Sequence, residues 1–217
     1  MRQYFAELIG TFALVFTGCG AIVVNDTNDG VIGHIGICLV FGLVVMAMIY
    51  AVGNVSGAHL NPAVSIGFLA AGRLKAKEAG LYIFSQFAGA VLAAIILRAL
   101  FRPHDTLGAT FPAGGLLPSF ILEVVLTFLL MFVILNVSTG HYEKGVMAGV
   151  AVGGTVALAA LMGGPISGAS MNPARSLGPA LVSGHLSSVW LYVAAPCIGA
   201  LLAAPTVAGR QDTGTTT

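Results

Sequence analysis

The stretch SGASMNPARSLG, residues 167–178, repeats SGAHLNPAVSIG, residues 56–67, at an offset of 111 with eight of twelve positions identical. The largest difference is Arg175, which stands where the first copy has Val64. A second pair points the same way: AELIGTF carries Glu7 and Thr11, and LEVVLTF carries Glu123 and Thr127. Each half of the chain therefore holds E-x-x-x-T followed later by Asn-Pro-Ala, which reads as an internal duplication.

Composition names the solvent. Hydrophobic residues are 57% of the 217 and charged residues 8%, far from the average of soluble domains, so the chain reads as an all-α membrane protein. Polar stretches near 25–33, 72–79, 102–115, 138–145 and 183–188 separate apolar runs. About 20 helical residues cross a ~30 Å hydrocarbon core, and six spans follow at roughly 4–24, 34–54, 80–101, 117–137, 145–163 and 187–208. The alternation of barrel strands is absent, leaving helices to satisfy the backbone. The first run contains Glu7, lacks a small-residue cleavage site and is expected to stay as a helix.

Three spans per half, an odd number, set the second half in the membrane upside down. Such inverted repeats hold their sites near the midplane between the halves. The segments Asn61–Ala71 and Asn172–Val182 are too short to span and too apolar for surface loops, so they read as re-entrant half-helices. Pro62 and Pro173 suit the first helical position, and Asn61 and Asn172 are good N-caps. Non-helical backbone before them is tolerable at membrane depth only beside a wet cavity or inside protein. Two half-helices starting near the midplane point their positive ends at one another. That junction is hostile to cations, while the two asparagines offer N–H donors to a neutral oxygen compound.

A net charge of +1 gives no field for nucleic acid. With both termini cytoplasmic, Arg2, Arg73, Lys75, Lys77, Lys144 and Arg210 lie inside against Arg98 and Arg102 outside, which satisfies the positive-inside rule. Cys19, Cys38 and Cys197 lack metal-ligand spacing and read as packing thiols. Gly145, Gly149 and Gly153 put a small-residue face on the fifth span.

In these motifs and their order the sequence resembles the aquaporin, or major intrinsic protein, family. The surroundings GPISGASMNPARSLGPA and FGLVVMAMIYAVGNVSGAHLNPAV are similar to the plant nodulin-26-like subfamily and its bacterial relatives. The resemblance implies an aquaporin-like bundle of six transmembrane helices plus two re-entrant half-helices over residues 1–208, with repeat halves of about 1–101 and 117–208 and a flexible tail at 209–217. It implies a homotetramer in the lipid bilayer of the cell (plasma or inner) membrane, one pore per subunit, passive conduction and no cofactor. It also implies a selectivity filter of Phe41, Ala160, Ala169 and Arg175, and paired motifs Asn61-Pro62-Ala63 and Asn172-Pro173-Ala174. Glu7 and Glu123 would brace the re-entrant loops, and His59 would line the cytoplasmic half of the pore or respond there to pH.

Water-selective members carry histidine where this chain has Ala160, and glycerol facilitators carry aspartate where it has Ser176. Phe41 replaces a tryptophan common in one nodulin-like group. The implied solutes are water, glycerol and neutral metalloid acids such as arsenite, boric or silicic acid. Competing readings are a predominantly water-selective aquaporin, an energised secondary transporter, and an intramembrane enzyme built on Ser170.

Overall fold

The computed structural model describes residues 1–138 and 147–207, so the readings attached to Lys144, Gly145, Arg210 and the tail 209–217 lie outside the described residues. Among the described residues there are eight α-helices: α1 (Arg2–Thr27), α2 (Gly33–Ser56), α3 (Pro62–Ala70), α4 (Ala76–Leu100), α5 (Leu116–Val137), α6 (Ala148–Ser167), α7 (Pro173–Ser183) and α8 (Val189–Ala203). A 3-10 turn, Ala204–Val207, extends α8. Six of them, α8 together with its 3-10 extension, are long and apolar enough to cross a membrane, and α3 and α7 are the two short ones.

The helices outrun the apolar runs that announced them. α4 begins at Ala76 rather than 80, with Lys77 and Glu78 in its opening turn. Long charged side chains can reach the headgroup layer from a turn whose backbone is already helical, so polarity marks the membrane boundary and not the helix boundary. α2 and α6 end alike, at Gly57 and Gly168, with φ of 81° and 82°. A side chain there would be strained in the left-handed region. Each turn sends the chain back toward the bundle interior to start a half-helix.

Within a half, α1 packs on α4 and α5 on α8; between the halves, α2 packs on α6. Glycine allows backbones to touch at each of these contacts. A Cβ on Gly89 would meet the Leu8 carbonyl, and one on Gly199 the Val124 carbonyl, the same contact made twice. At the centre Gly42 and Gly153, repeat counterparts, face each other. A Cβ on Gly42 would lie 2.6 Å from the Gly153 oxygen, and one on Gly153 2.5 Å from the Gly42 oxygen. Gly149 lies against the Tyr50 ring one turn away, so the small-residue face of α6 is its seam with α2. In lipid such seams bring dispersion contacts and close backbones rather than hydrophobic gain.

Gly153→Leu is therefore expected to destabilise the bundle by about 1–3 kcal/mol or more through overpacking. Its neighbour Gly154 has nothing within 4 Å of an added Cβ, and Gly154→Ala should be neutral or slightly stabilising. Thermal unfolding of the purified protein in detergent separates the two, and equal melting points would overturn the assignment of the seam.

Candidate functional site at the half-helix junction

The two half-helices are capped as their sequences suggest. Asn61 Oδ1 accepts from Ala63 N at 2.9 Å, and Asn172 Oδ1 accepts from Ala174 N at 3.0 Å and Arg175 N at 3.3 Å. Pro62 and Pro173 hold the first helical positions. The asparagine amides do a second job. Asn61 Nδ2 donates to Met171 O at 2.7 Å, and Asn172 Nδ2 donates to Leu60 O at 2.9 Å. Each caps its own half-helix and holds the opposite loop, keeping one of its two amide hydrogens uncommitted to these bonds.

The loops that reach this junction are strained in the same way. Ala58 and Leu60 have φ of 48° and 53°, and their counterparts Ala169 and Met171 have 41° and 52°. Left-handed non-glycine residues cost about 1–2 kcal/mol each. The conformation turns the Leu60 and Met171 carbonyls across to the opposite asparagine and the preceding N–H groups outward to a carboxylate. Glu7 accepts from His59 N at 2.9 Å and Leu60 N at 2.7 Å, and also from Ser56 Oγ and Gln86 Nε2. Glu123 accepts from Ser170 N and Met171 N, both at 2.7 Å, and from Ser167 Oγ at 2.8 Å. Tyr82 donates to Ser56 O and Tyr192 to Ser167 O, closing the same ring in each half. Thr127 Oγ1 bonds back to Glu123 O, whereas the buried Thr11 hydroxyl has no partner among the described residues.

Two cavities meet beside this junction. One runs past Asn61, Asn172, His59 and Val64 to Val137 and Ala148, toward the face that carries the N-terminus. The other opens on the opposite face between His34, Ile37, Thr110 and Phe111. They share four lining residues: Phe41, Ala160, Ala169 and Arg175. These are the four residues that the family resemblance points to, and three different helices and a loop bring them together. Arg175 is 3% exposed, and its guanidinium donates to Gly108 O at 2.8 Å and sits 4.9 Å from the centre of the Phe41 ring. A buried arginine is thus held between one carbonyl and one aromatic face.

His59 lines the longer cavity. Its ring stacks on Phe68 at 4.4 Å and meets the edge of Tyr82 at 5.1 Å, with Nδ1 3.1 Å from Ser65 Oγ. Among the described residues Ser170, its counterpart, has no histidine as a hydrogen-bond partner. Its hydroxyl donates to Asn172 O at 2.9 Å and meets Ser176 Oγ at 2.5 Å.

Several residues at the site carried no signal in the sequence. The acceptor of Arg175 is a backbone carbonyl in the connection between α4 and α5, which read only as a polar gap. His34 Nε2 lies 2.9 Å from Leu161 O. Pro165 lies inside α6 and has no N–H to give that carbonyl four residues back; the imidazole supplies the missing donor at the wall of the outer cavity. A histidine one helix away from a proline could not be paired with it from the sequence.

Residues 1–206 match the major intrinsic protein family. The chain is 46% identical over 205 residues to aquaporin NIP1-1 of Zea mays, covering 94% of this chain and 73% of that protein. It is 48% identical over 201 residues to aquaporin NIP1-4 of Oryza sativa subsp. japonica, covering 92% and 73%. Among solved structures, the aquaglyceroporin from Plasmodium falciparum superposes with a TM-score of 0.82 at 28% identity, over 95% of this chain and 94% of that one. The repeated cap, clamp and crossed asparagines and these similarities agree, and the chain belongs to the major intrinsic protein family, as an integral membrane protein.

Proposed function

We propose that this protein is a passive transmembrane channel for water and small uncharged hydroxylated solutes, with Phe41, Ala160, Ala169 and Arg175 as its selectivity filter. The observation that carries the reading is the sharing of those four residues by the two cavities. A solute crossing from one cavity to the other passes between them. Arg175 offers fixed N–H donors and a positive charge. Phe41 and the two alanines offer hydrocarbon opposite it. A polyol fits such a slot with its hydroxyls on one wall and its carbon edge on the other. Ala160 leaves more room than the histidine of water-selective members. Glycerol and neutral metalloid acids are therefore the solutes we assign beside water, in keeping with the aquaporin names of the relatives and the aquaglyceroporin neighbour.

Ions and protons are refused twice on this reading. The guanidinium repels cations at the filter. Deeper in, the facing half-helix N-termini and the asparagine hydrogens favour a single oxygen that accepts from both sides, which breaks a chain of water-to-water donation. The asparagine bonds to the opposite loops support the second barrier, because they lock the orientation of each amide. We further propose a homotetramer in the cell membrane with both termini cytoplasmic. Arg2, Arg73, Lys75 and Lys77 gather at one end of the bundle against Arg98 and Arg102 at the other, which supports that orientation.

Two substitutions test the filter in proteoliposomes under stopped flow. Ala160→His should lower glycerol permeability by about ten-fold while water falls by less than about two-fold, since a larger polar wall excludes by size first. Equal losses would count against the assignment. Arg175→Val copies Val64 of the first repeat, so the half-helix should still form. It should raise the proton and cation leak by about ten-fold or more, as removal of an intramembrane charge implies, and an unchanged leak would remove Arg175 from the barrier.

A further inference from the structure

We propose that Thr110, at the wall of the outer cavity, and Ser176, buried behind it, are positioning residues that set the solute preference of the channel through Arg175, by bolting the connection that holds Arg175 to the half-helix that bears it. The inference rests on the reading of Arg175 as the filter arginine. It starts from a chain of hydroxyls. Thr110 Oγ1 donates to Ser176 Oγ at 2.8 Å, and Ser170 Oγ donates to Asn172 O at 2.9 Å. Each hydroxyl has one proton, so the 2.5 Å contact between Ser176 and Ser170 runs from Ser176 to Ser170. The direction of the chain is fixed: Thr110, Ser176, Ser170, then the N-cap carbonyl of α7.

Its two ends matter for Arg175. Thr110 is two residues from Gly108, whose carbonyl accepts from the guanidinium, and Ser176 directly follows Arg175. A closed circuit results, from Arg175 to Gly108 O, along the backbone to Thr110, and through the hydroxyl bond back to the residue next to Arg175. Leu107 and Gly108 are both left-handed, with φ of 53° and 73°, and a Cβ on Gly108 would lie 2.9 Å from Cys19 Cβ. The connection is strained and seated on α1, so a bond is needed to keep its carbonyl at the filter. Ser176 is fully buried and lines neither cavity. It does not touch a solute.

The first repeat shows what the bolt adds. Ser65, the counterpart of Ser176, accepts from Gln86 Nε2 of α4 at 3.0 Å and lies beside His59. There the half-helix is tied to a helix, and the matching residue is Val64, which needs no acceptor. In the second repeat it is tied to the very connection that supplies the arginine's acceptor. Loosen that tie, and Gly108 O moves off. The guanidinium then turns toward the lumen beside Phe41, where it obstructs a wide solute more than a narrow one.

The test is the glycerol-to-water permeability ratio of purified protein in liposomes, with Arg175→Val measured alongside. Thr110→Val keeps the shape and removes the donor, Ser176→Ala removes the acceptor, and Thr110→Ser keeps the hydroxyl. The ratio should fall about three- to ten-fold in Thr110→Val and Ser176→Ala, the size of one hydrogen bond. The double variant should fall no further, and Thr110→Ser should restore the parent value. Water and glycerol falling in proportion, or a ratio unmoved in Thr110→Val while Arg175→Val shifts it, would overturn the bolt. A ratio unmoved in Arg175→Val would instead overturn the filter reading beneath it. If Ser176→Ala does not fold, the Thr110→Val and Thr110→Ser pair decides, because that side chain belongs to the connection and not to the half-helix.

Discussion

Four backbone N–H groups at membrane depth, those of His59, Leu60, Ser170 and Met171, end on two carboxylates, and the passage depends on them. Irregular backbone inside a bilayer must find partners within the protein, since lipid offers none. Two glutamates in helices, each one span away from the loop it serves, meet that demand with charge-assisted bonds, roughly twice as strong as neutral ones. With the N–H side held, the strained Leu60 and Met171 can turn their carbonyls to the opposite asparagines. The half-helices then start face to face, and the proposed barrier to ions is a consequence of that placement.

The duplication built the frame, and its departures built the function. Glu7 and Glu123, Ser56 and Ser167, Tyr82 and Tyr192, and Gly42 and Gly153 do the same work in both halves. Val64 against Arg175, His59 against Ser170 and Gln86 against the Thr110 hydroxyl do not match. The unmatched residues all lie at the junction or its immediate support. A symmetric frame can tolerate such changes because each half-helix is capped, clamped and crossed by residues the departures leave alone.

Much of this was legible because motifs at the junction are read locally. Asn-Pro at a helix start, a repeat at a fixed offset and an odd number of spans are each visible in the chain, and together they imply facing half-helices. The residues proposed as the filter entered through family resemblance instead. Phe41 and Ala160 sit in ordinary apolar runs, and nothing in their spacing marks them. What stayed hidden was every acceptor that is a backbone carbonyl. Gly108 O, Leu161 O and Ser56 O have no side-chain signature, and the residues that use them are 67, 127 and 26 positions away. The stretch 102–115 read as a gap because its polarity was seen and its role as an acceptor could not be.

The same carboxylates bear on why a channel is the better account than an energised transporter. Coupling requires an ionisable group that changes partners between two arrangements of similar free energy. Glu7 accepts four bonds, and a proton placed on it would have to displace Ser56, His59, Leu60 or Gln86. Glu123 is occupied by Ser167, Ser170 and Met171. Displacing any backbone donor would release the strained loop it holds and leave a buried N–H unsatisfied, at about 1–3 kcal/mol. The seams that would have to slide, Gly89 on Leu8 and Gly42 on Gly153, bring backbone within contact of backbone, with little room for a shift. A frame held this way has one low-energy arrangement, and a frame with one arrangement can only let solutes run down their own gradients.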